Sequence, residues 1–112
     1  MNTHILGIKG EQLAKEYLQK NKYKILETNY VNELGEIDII AKQKDVIVFV
    51  EVKTRETLRY GLPREAVTPY KQQKIRKVAL LYLKINHKTT SKVRFDCIDI
   101  LGEKITHLQN CF

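Results

Sequence analysis

Tryptophan is absent, and the 112 residues hold two cysteines, two prolines and five glycines, with thirteen acidic residues against twenty lysines and arginines. Cys97 and Cys111 form no CxxC pair and have no histidine at finger spacing, so the sequence offers no zinc-ligand pattern. Reduced thiols in a cytoplasmic protein are the simplest account of them. No apolar run approaches the ~20 residues that a transmembrane helix needs. Met1-Asn2-Thr3-His4 lacks a basic region followed by a long apolar core, so a secretory signal is not expected either. Repeats, linkers and low-complexity tracts are also missing. What remains, at 43% apolar and 29% charged residues, reads as a single domain spanning 1–112 with one core.

The shortage of acid is local. Residues 1–54 hold eight basic and eight acidic residues, which cancel. Residues 55–94 hold eleven basic residues against two acidic ones, and the last 18 hold one against three. A basic block confined to the middle of the chain is the footprint expected for a polyanion, although a lysine-rich solvated helix would look similar. Without a basic amphipathic helix bearing Trp or Phe, a membrane surface is not the expected partner.

Two β-rich apolar runs carry charge where buried strands should carry none: Gly35-Glu36-Ile37-Asp38-Ile39-Ile40, and Val46-Ile47-Val48-Phe49-Val50-Glu51-Val52-Lys53. Strand side chains alternate, so Glu36 and Asp38 are expected on one face of the first run. Ile47, Phe49, Glu51 and Lys53 share a face of the second, which is apolar on both faces up to Val50 and suits a central strand. Burying a carboxylate costs several kcal/mol unless it is paired or holds a metal. Asp38 and Glu51 are hard oxygen donors of the kind Mg²⁺ or Mn²⁺ takes, and Lys53 stands where it can approach a held water or phosphate oxygen. Metal-assisted phosphodiester cleavage needs these groups. Taken singly, the same residues read as a solvated ion pair where a strand runs out, beside a carboxylate near a turn.

In chain order, residues 4–20 read as an amphipathic helix capped by Thr3, with Leu6, Gly10, Leu13, Ala14, Tyr17 and Leu18 on one stripe. Glu11 lies at the edge of that stripe, and a glycine at position 10 suggests close approach to a sheet or ligand. Strands follow at 23–30, 35–42 and 46–54, with Gln43-Lys44-Asp45 turning between the last two. Arg55, Arg59, Tyr60, Gly61, Pro63 and Arg64 form a basic loop suited to a phosphate backbone, or an ordinary connection. Thr68-Pro69 starts a second helix running to about Asn86, with Ile75, Val78, Ala79, Tyr82 and Ile85 inward and Lys71, Lys74, Arg76 and Lys77 on its early turns. Residues 93–100 alternate as a strand, and 105–108 form a short last one. The αβββαβ order predicts an α/β fold, helices covering both faces of a mixed sheet.

That order, with Glu11, Asp38, Glu51 and Lys53, resembles the PD-(D/E)xK nuclease superfamily and its restriction-endonuclease-like fold, and is similar to archaeal Holliday-junction resolvases. More closely the chain resembles the uncharacterised bacterial YraN family. The matching pieces are Gly10-Glu11, Gly35-Glu36-Ile37-Asp38, Phe49-Val50-Glu51-Val52-Lys53-Thr54-Arg55, Tyr60-Gly61, Glu65-Ala66-Val67, Lys71-Gln72 and Val93-Arg94-Phe95-Asp96. One departure is Ile37, where the superfamily name has proline. The resemblance implies an endonuclease acting on structured DNA, such as a junction, flap or damaged site, with a non-catalytic nucleic-acid-binding module of a repair assembly as the alternative. It implies that Asp38, Glu51, the Val52 carbonyl and Glu11 hold Mg²⁺ or Mn²⁺ and that Lys53 activates water. It places Arg55, Arg59, Arg64, Lys71, Gln72, Gln73 and Lys74 toward nucleic acid, Gln72 or Gln73 near the acidic pocket. It also implies a homodimer.

Overall fold

The apolar run at Val46–Arg55 is the middle strand of a five-stranded sheet in a computed structural model, which describes residues 3–56 and 67–112 and, of residues 3–8, only the backbone. The elements are α1 (Thr3–Lys20), β1 (Lys24–Asn32), β2 (Gly35–Gln43), β3 (Val46–Arg55), α2 (Pro69–Ile85), β4 (Lys92–Leu101) and β5 (Lys104–Leu108). Strands lie in the order β1-β2-β3-β4-β5, with β3 and β4 parallel and every other pair antiparallel. The parallel step requires a crossover, and α2 lies within it. Among the described residues no helix is long and apolar enough to cross a membrane.

β3 is buried on both faces because a helix covers each. Val48 and Val50 pack with Ala14 and Leu18 of α1, and with Ile98 and Ile100 of β4. Ile47 and Phe49 pack on the other side with Ile75, Val78, Ala79, Tyr82 and Leu83 of α2. Those five follow the i, i+3, i+4, i+7, i+8 stripe of a surface helix, each burial worth about 1.5–3 kcal/mol for the larger side chains. Ile85 departs from the expectation and is 57% exposed. It sits at the helix end, roughly a quarter-turn from the middle of the stripe, and Leu83 takes the inward place. Thr68 caps α2 as expected, its Oγ1 accepting from the Lys71 N–H at 3.2 Å. The first helix begins at Thr3 itself, where a cap was expected; the side chains of Thr3 and Leu6 lie outside the described residues.

The last two strands carry a buried polar network. Asp96 is fully buried and accepts from Arg94 Nε and Nη2 at 2.8 Å each and from the Asn110 N–H at 3.1 Å, with His107 Nε2 at 2.7 Å. Arg94 also reaches the Tyr23 hydroxyl at 2.6 Å, and His107 Nδ1 lies 3.1 Å from that of Tyr17. Burial opposes the charge on Asp96, but these hydrogen bonds outweigh it and hold the carboxyl below its ordinary range. Every oxygen of this acid is satisfied within the fold.

Gly10 is buried at the crossing of α1 over β3, where a Cβ would overlap the side chain of Thr54. Gly10→Ala is expected to lower stability by about 1–3 kcal/mol through overpacking, with Thr54→Ala recovering part of the loss in the double variant. Denaturant unfolding of the four proteins measures the coupling; purely additive losses would place the helix elsewhere.

Candidate functional site

The site begins where two strands part. The β2–β3 ladder pairs Gln43 with Val46 and runs to Ile39 opposite Val50, stopping before Asp38 and Glu51. β3 continues alone beside β4, as far as Arg55 opposite Leu101. In the gap, the Asp38 carboxylate takes over the strand's role: its Oδ2 accepts from the Val52 N–H at 2.8 Å. A side chain thus satisfies a backbone donor that the ladder leaves behind.

The chain also twists here. Ile37 packs under α2 while Ile39, two residues on, packs under α1, although an ideal strand would place both on one face. On the neighbouring strand Asn29 holds a left-handed φ of 49°, a conformation that asparagine tolerates, between the pairs Thr28–Ile39 and Tyr30–Ile37. The expected common face for Glu36 and Asp38 is therefore not kept. Glu36 is exposed and lines a cavity beside α2, whereas Asp38 lines one beside α1.

Three carboxyl groups converge at this break. Glu51 is only 7% exposed, so it is no solvated end-of-strand acid. Burial first, then the charge of Asp38, push its pKa up to about 7, against the pull of Lys71 and of the Asp38 backbone N–H. Asp38 is raised as well, burial outweighing the Val52 N–H and Lys71. Half-buried Glu11 reaches the cluster from α1 and is raised by burial, then by Asp38, to which it hydrogen-bonds. With its amide nitrogen turned inward, Asn29 donates to both Glu11 oxygens at 3.1 and 3.2 Å.

Two lysines border the cluster. Lys71, on the first turn of α2, places its Nζ 3.3 Å from Glu51 Oε2. Lys53 is exposed at the end of β3, on the Glu51 face. Glu51, Val52, Lys53 and Lys71 line a recess of about 10 Å³, room for about one water. Other expected residues scatter. Arg55 is buried and bonds Asp99 at 3.0 Å, so its guanidinium serves the fold and not an outer surface. Gln72 donates to the Val67 carbonyl at 3.0 Å, while Gln73 and Lys74 are exposed. Arg59 and Arg64, with the rest of the 57–66 loop, lie outside the described residues.

Sequence reasoning missed three features. Lys71 was assigned to nucleic acid by position, and only the crossover that returns α2 over β3 brings it to Glu51. Asn29 carried no signal beyond its tolerance of a left-handed backbone. Lys9 and Lys15 line the α1-side cavity with Glu11 and Asp38, and nothing in the sequence sets them apart from the other lysines of the helix.

The chain matches known proteins along most of its length. The model of the uncharacterised protein family UPF0102 matches residues 10–100. The chain belongs to UPF0102, the family also called YraN. Its UPF0102 relatives include a protein of Syntrophomonas wolfei, 48% identical over 111 residues and covering 96% of each chain. Another, from Caldanaerobacter subterraneus, is 44% identical over all of this chain and 98% of its own. A third, from Acetivibrio thermocellus, is 50% identical over 92% of this chain and 80% of its own.

The raised Glu51 has a thermodynamic consequence. Its folded pKa of about 7 exceeds the ordinary 4.5, so the folded state binds the proton more tightly. That stabilisation is complete below about pH 4.5 and lost as pH rises through about 7. In metal-free buffer, Glu51→Gln is expected to gain stability relative to the natural protein across this window, by on the order of 2 kcal/mol. Urea unfolding across that range measures the trend; a pH-independent difference would contradict it.

Proposed function

We propose that this UPF0102 protein is a metal-dependent endonuclease acting on structured DNA, at a junction, flap or damaged site. The observation that carries the reading is the convergence of Asp38 and Glu51 at the parted strands, with Lys53 and Lys71 at their edge. The αβββαβ order around a mixed sheet, a helix on each face, supports a restriction-endonuclease-like core.

Among the described residues, no three Asp, Glu, His or Cys side chains stand as a ready-made metal cluster. Mg²⁺ does not require one, since it keeps several waters and binds through one or two carboxylates plus substrate phosphate oxygens. Asp38 and Glu51 fit that donor set, as two close acids, one half-buried and one buried, whose mutual repulsion raises the proton affinity of Glu51. They would hold the cation, Mg²⁺ or Mn²⁺, with the Val52 carbonyl beside them and Glu11 behind. Once bound, the cation would polarise the phosphate and acidify water.

The chain's own residues divide the remaining work. Asp38 is fixed by the Val52 N–H and cannot swing away. Lys53, unburied and next to the one-water recess, is placed to orient the attacking water and to stabilise charge developing on the phosphate. Lys71, half-exposed while it borders Glu51, would offer its remaining N–H donors to a phosphate oxygen. Glu11, from α1, would lend its carboxylate to the cluster as positive charge arrives.

The Lys71–Glu51 pair also favours a second reading, a nucleic-acid-binding module that does not cut. In it the lysine ammonium permanently neutralises the acid that a cation would otherwise occupy. Labelled single-strand, duplex, flap and four-way-junction DNA, incubated with Mg²⁺ or Mn²⁺, separates the two. The nuclease reading expects cutting of at least one substrate, reduced by about 10²-fold or more in both Glu51→Ala and Lys53→Ala. Salt-sensitive binding without cutting in any lane would overturn it in favour of the module.

A further inference from the structure

A second cavity, of about 590 Å³, opens on the α2 side of the same break. It lies between the β1–β2 turn, which gives Val31 and Glu36, and the start of α2, which gives Tyr70, Lys71, Lys74 and Val78. Its volume falls in the range of small-molecule and cofactor sites. Two wall residues are unusually open for their size, Tyr70 at 72% and Val31 at 65% exposure. The Nζ of Lys74 stands 6.0 Å from the centre of the Tyr70 ring. Lys71 lines this cavity and also pairs with Glu51, so one residue joins it to the acidic cluster. The reaction described above makes no use of Tyr70, Val31 or Lys74.

An exposed aromatic ring in a cavity lined by two lysines fits one ligand chemistry closely: a flat base with a phosphate on each side. Apolar Val31 and Val78 suit the faces of a base, and Glu36 and Thr68 at the wall offer polar partners for its edge. Charge argues against a second copy of the chain here. The segment carrying Tyr70, Lys71 and Lys74 has eleven basic residues to two acidic, and a second copy also bears a net +7. We propose that this cavity receives an unpaired base of single-stranded nucleic acid, stacked on Tyr70, with the adjoining phosphates on Lys71 and Lys74. The inference deepens the nuclease reading and rests on it for one consequence: the cleaved phosphate belongs to a strand with an unpaired base beside it, not to a continuous duplex.

The test is fluorescence anisotropy of the full chain without divalent cation, so that binding is read apart from cutting. The probes are a labelled DNA single strand, the same strand with abasic linkers, and a continuous duplex. The natural protein is expected to prefer the base-bearing strand over the abasic one. Tyr70→Ala is expected to weaken binding of the base-bearing strand by about tenfold and erase that preference, while Tyr70→Phe keeps it. Duplex binding, carried by phosphate contacts, is expected to change by less than about twofold and reports that the variant is folded. Unchanged binding of the base-bearing strand by Tyr70→Ala overturns the proposal. So does an equal loss on base-bearing and abasic strands, or a dimer in sedimentation equilibrium that Tyr70→Ala dissolves. Base-selective binding by a protein that cuts nothing would support the cavity and refute the nuclease. Cutting with no base selectivity would do the reverse.

Discussion

Two carboxylates, Glu51 buried and Asp38 half-buried, crowd together where β2 and β3 separate, and the local structure is arranged around the cost of holding them there. A sheet that simply continued would set Asp38 opposite Glu51 and Ile37 opposite Val52, the Ile37 carbonyl accepting from the Val52 N–H. Instead the ladder stops at Ile39 and Val50, and Asp38 satisfies the next N–H with its side chain. The remaining charge is relieved only in part, by Lys71 from α2, while Glu11 from α1 brings a third acid beside Asp38. Each helix thus contributes one group to a break in the central sheet.

The opposite half of the sheet shows that this fold can satisfy a buried acid completely. Asp96 lies deeper than Glu51, yet Arg94, His107 and the Asn110 N–H hold its carboxyl below the ordinary range. Asp99 is likewise met by Arg55. Against those two, the raised Asp38 and Glu51 stand out as acids whose own structure does not settle them. Perturbed groups in a cleft are candidate functional sites for that reason. Two cavities open at the break, one on each side.

Much of this was legible in the residues. The apolar run through Val50 announced a central strand, and the carboxylate at Glu51 stood out because it falls on a face that is apolar two residues earlier. Thr68-Pro69 placed the start of α2 to the residue. What escaped were long-range consequences of topology. Lys71 meets Glu51 only because α2 crosses back over β3, and Arg55 turns inward because β4 brings Asp99 alongside in parallel register. The reversal between Ile37 and Ile39 depends on twist at Asn29, which strict alternation cannot foresee.

The central claim is that Asp38 and Glu51 form an anionic pair whose unrelieved charge selects a divalent cation. Its most direct test is a titration of Mn²⁺ into the natural protein, Asp38→Asn and Glu51→Gln at neutral pH, reading the electron paramagnetic resonance of the free ion. The account predicts uptake by the natural protein and at least about a tenfold loss of affinity in each variant, as removal of a direct ligand should give. Equal uptake by all three proteins would contradict it.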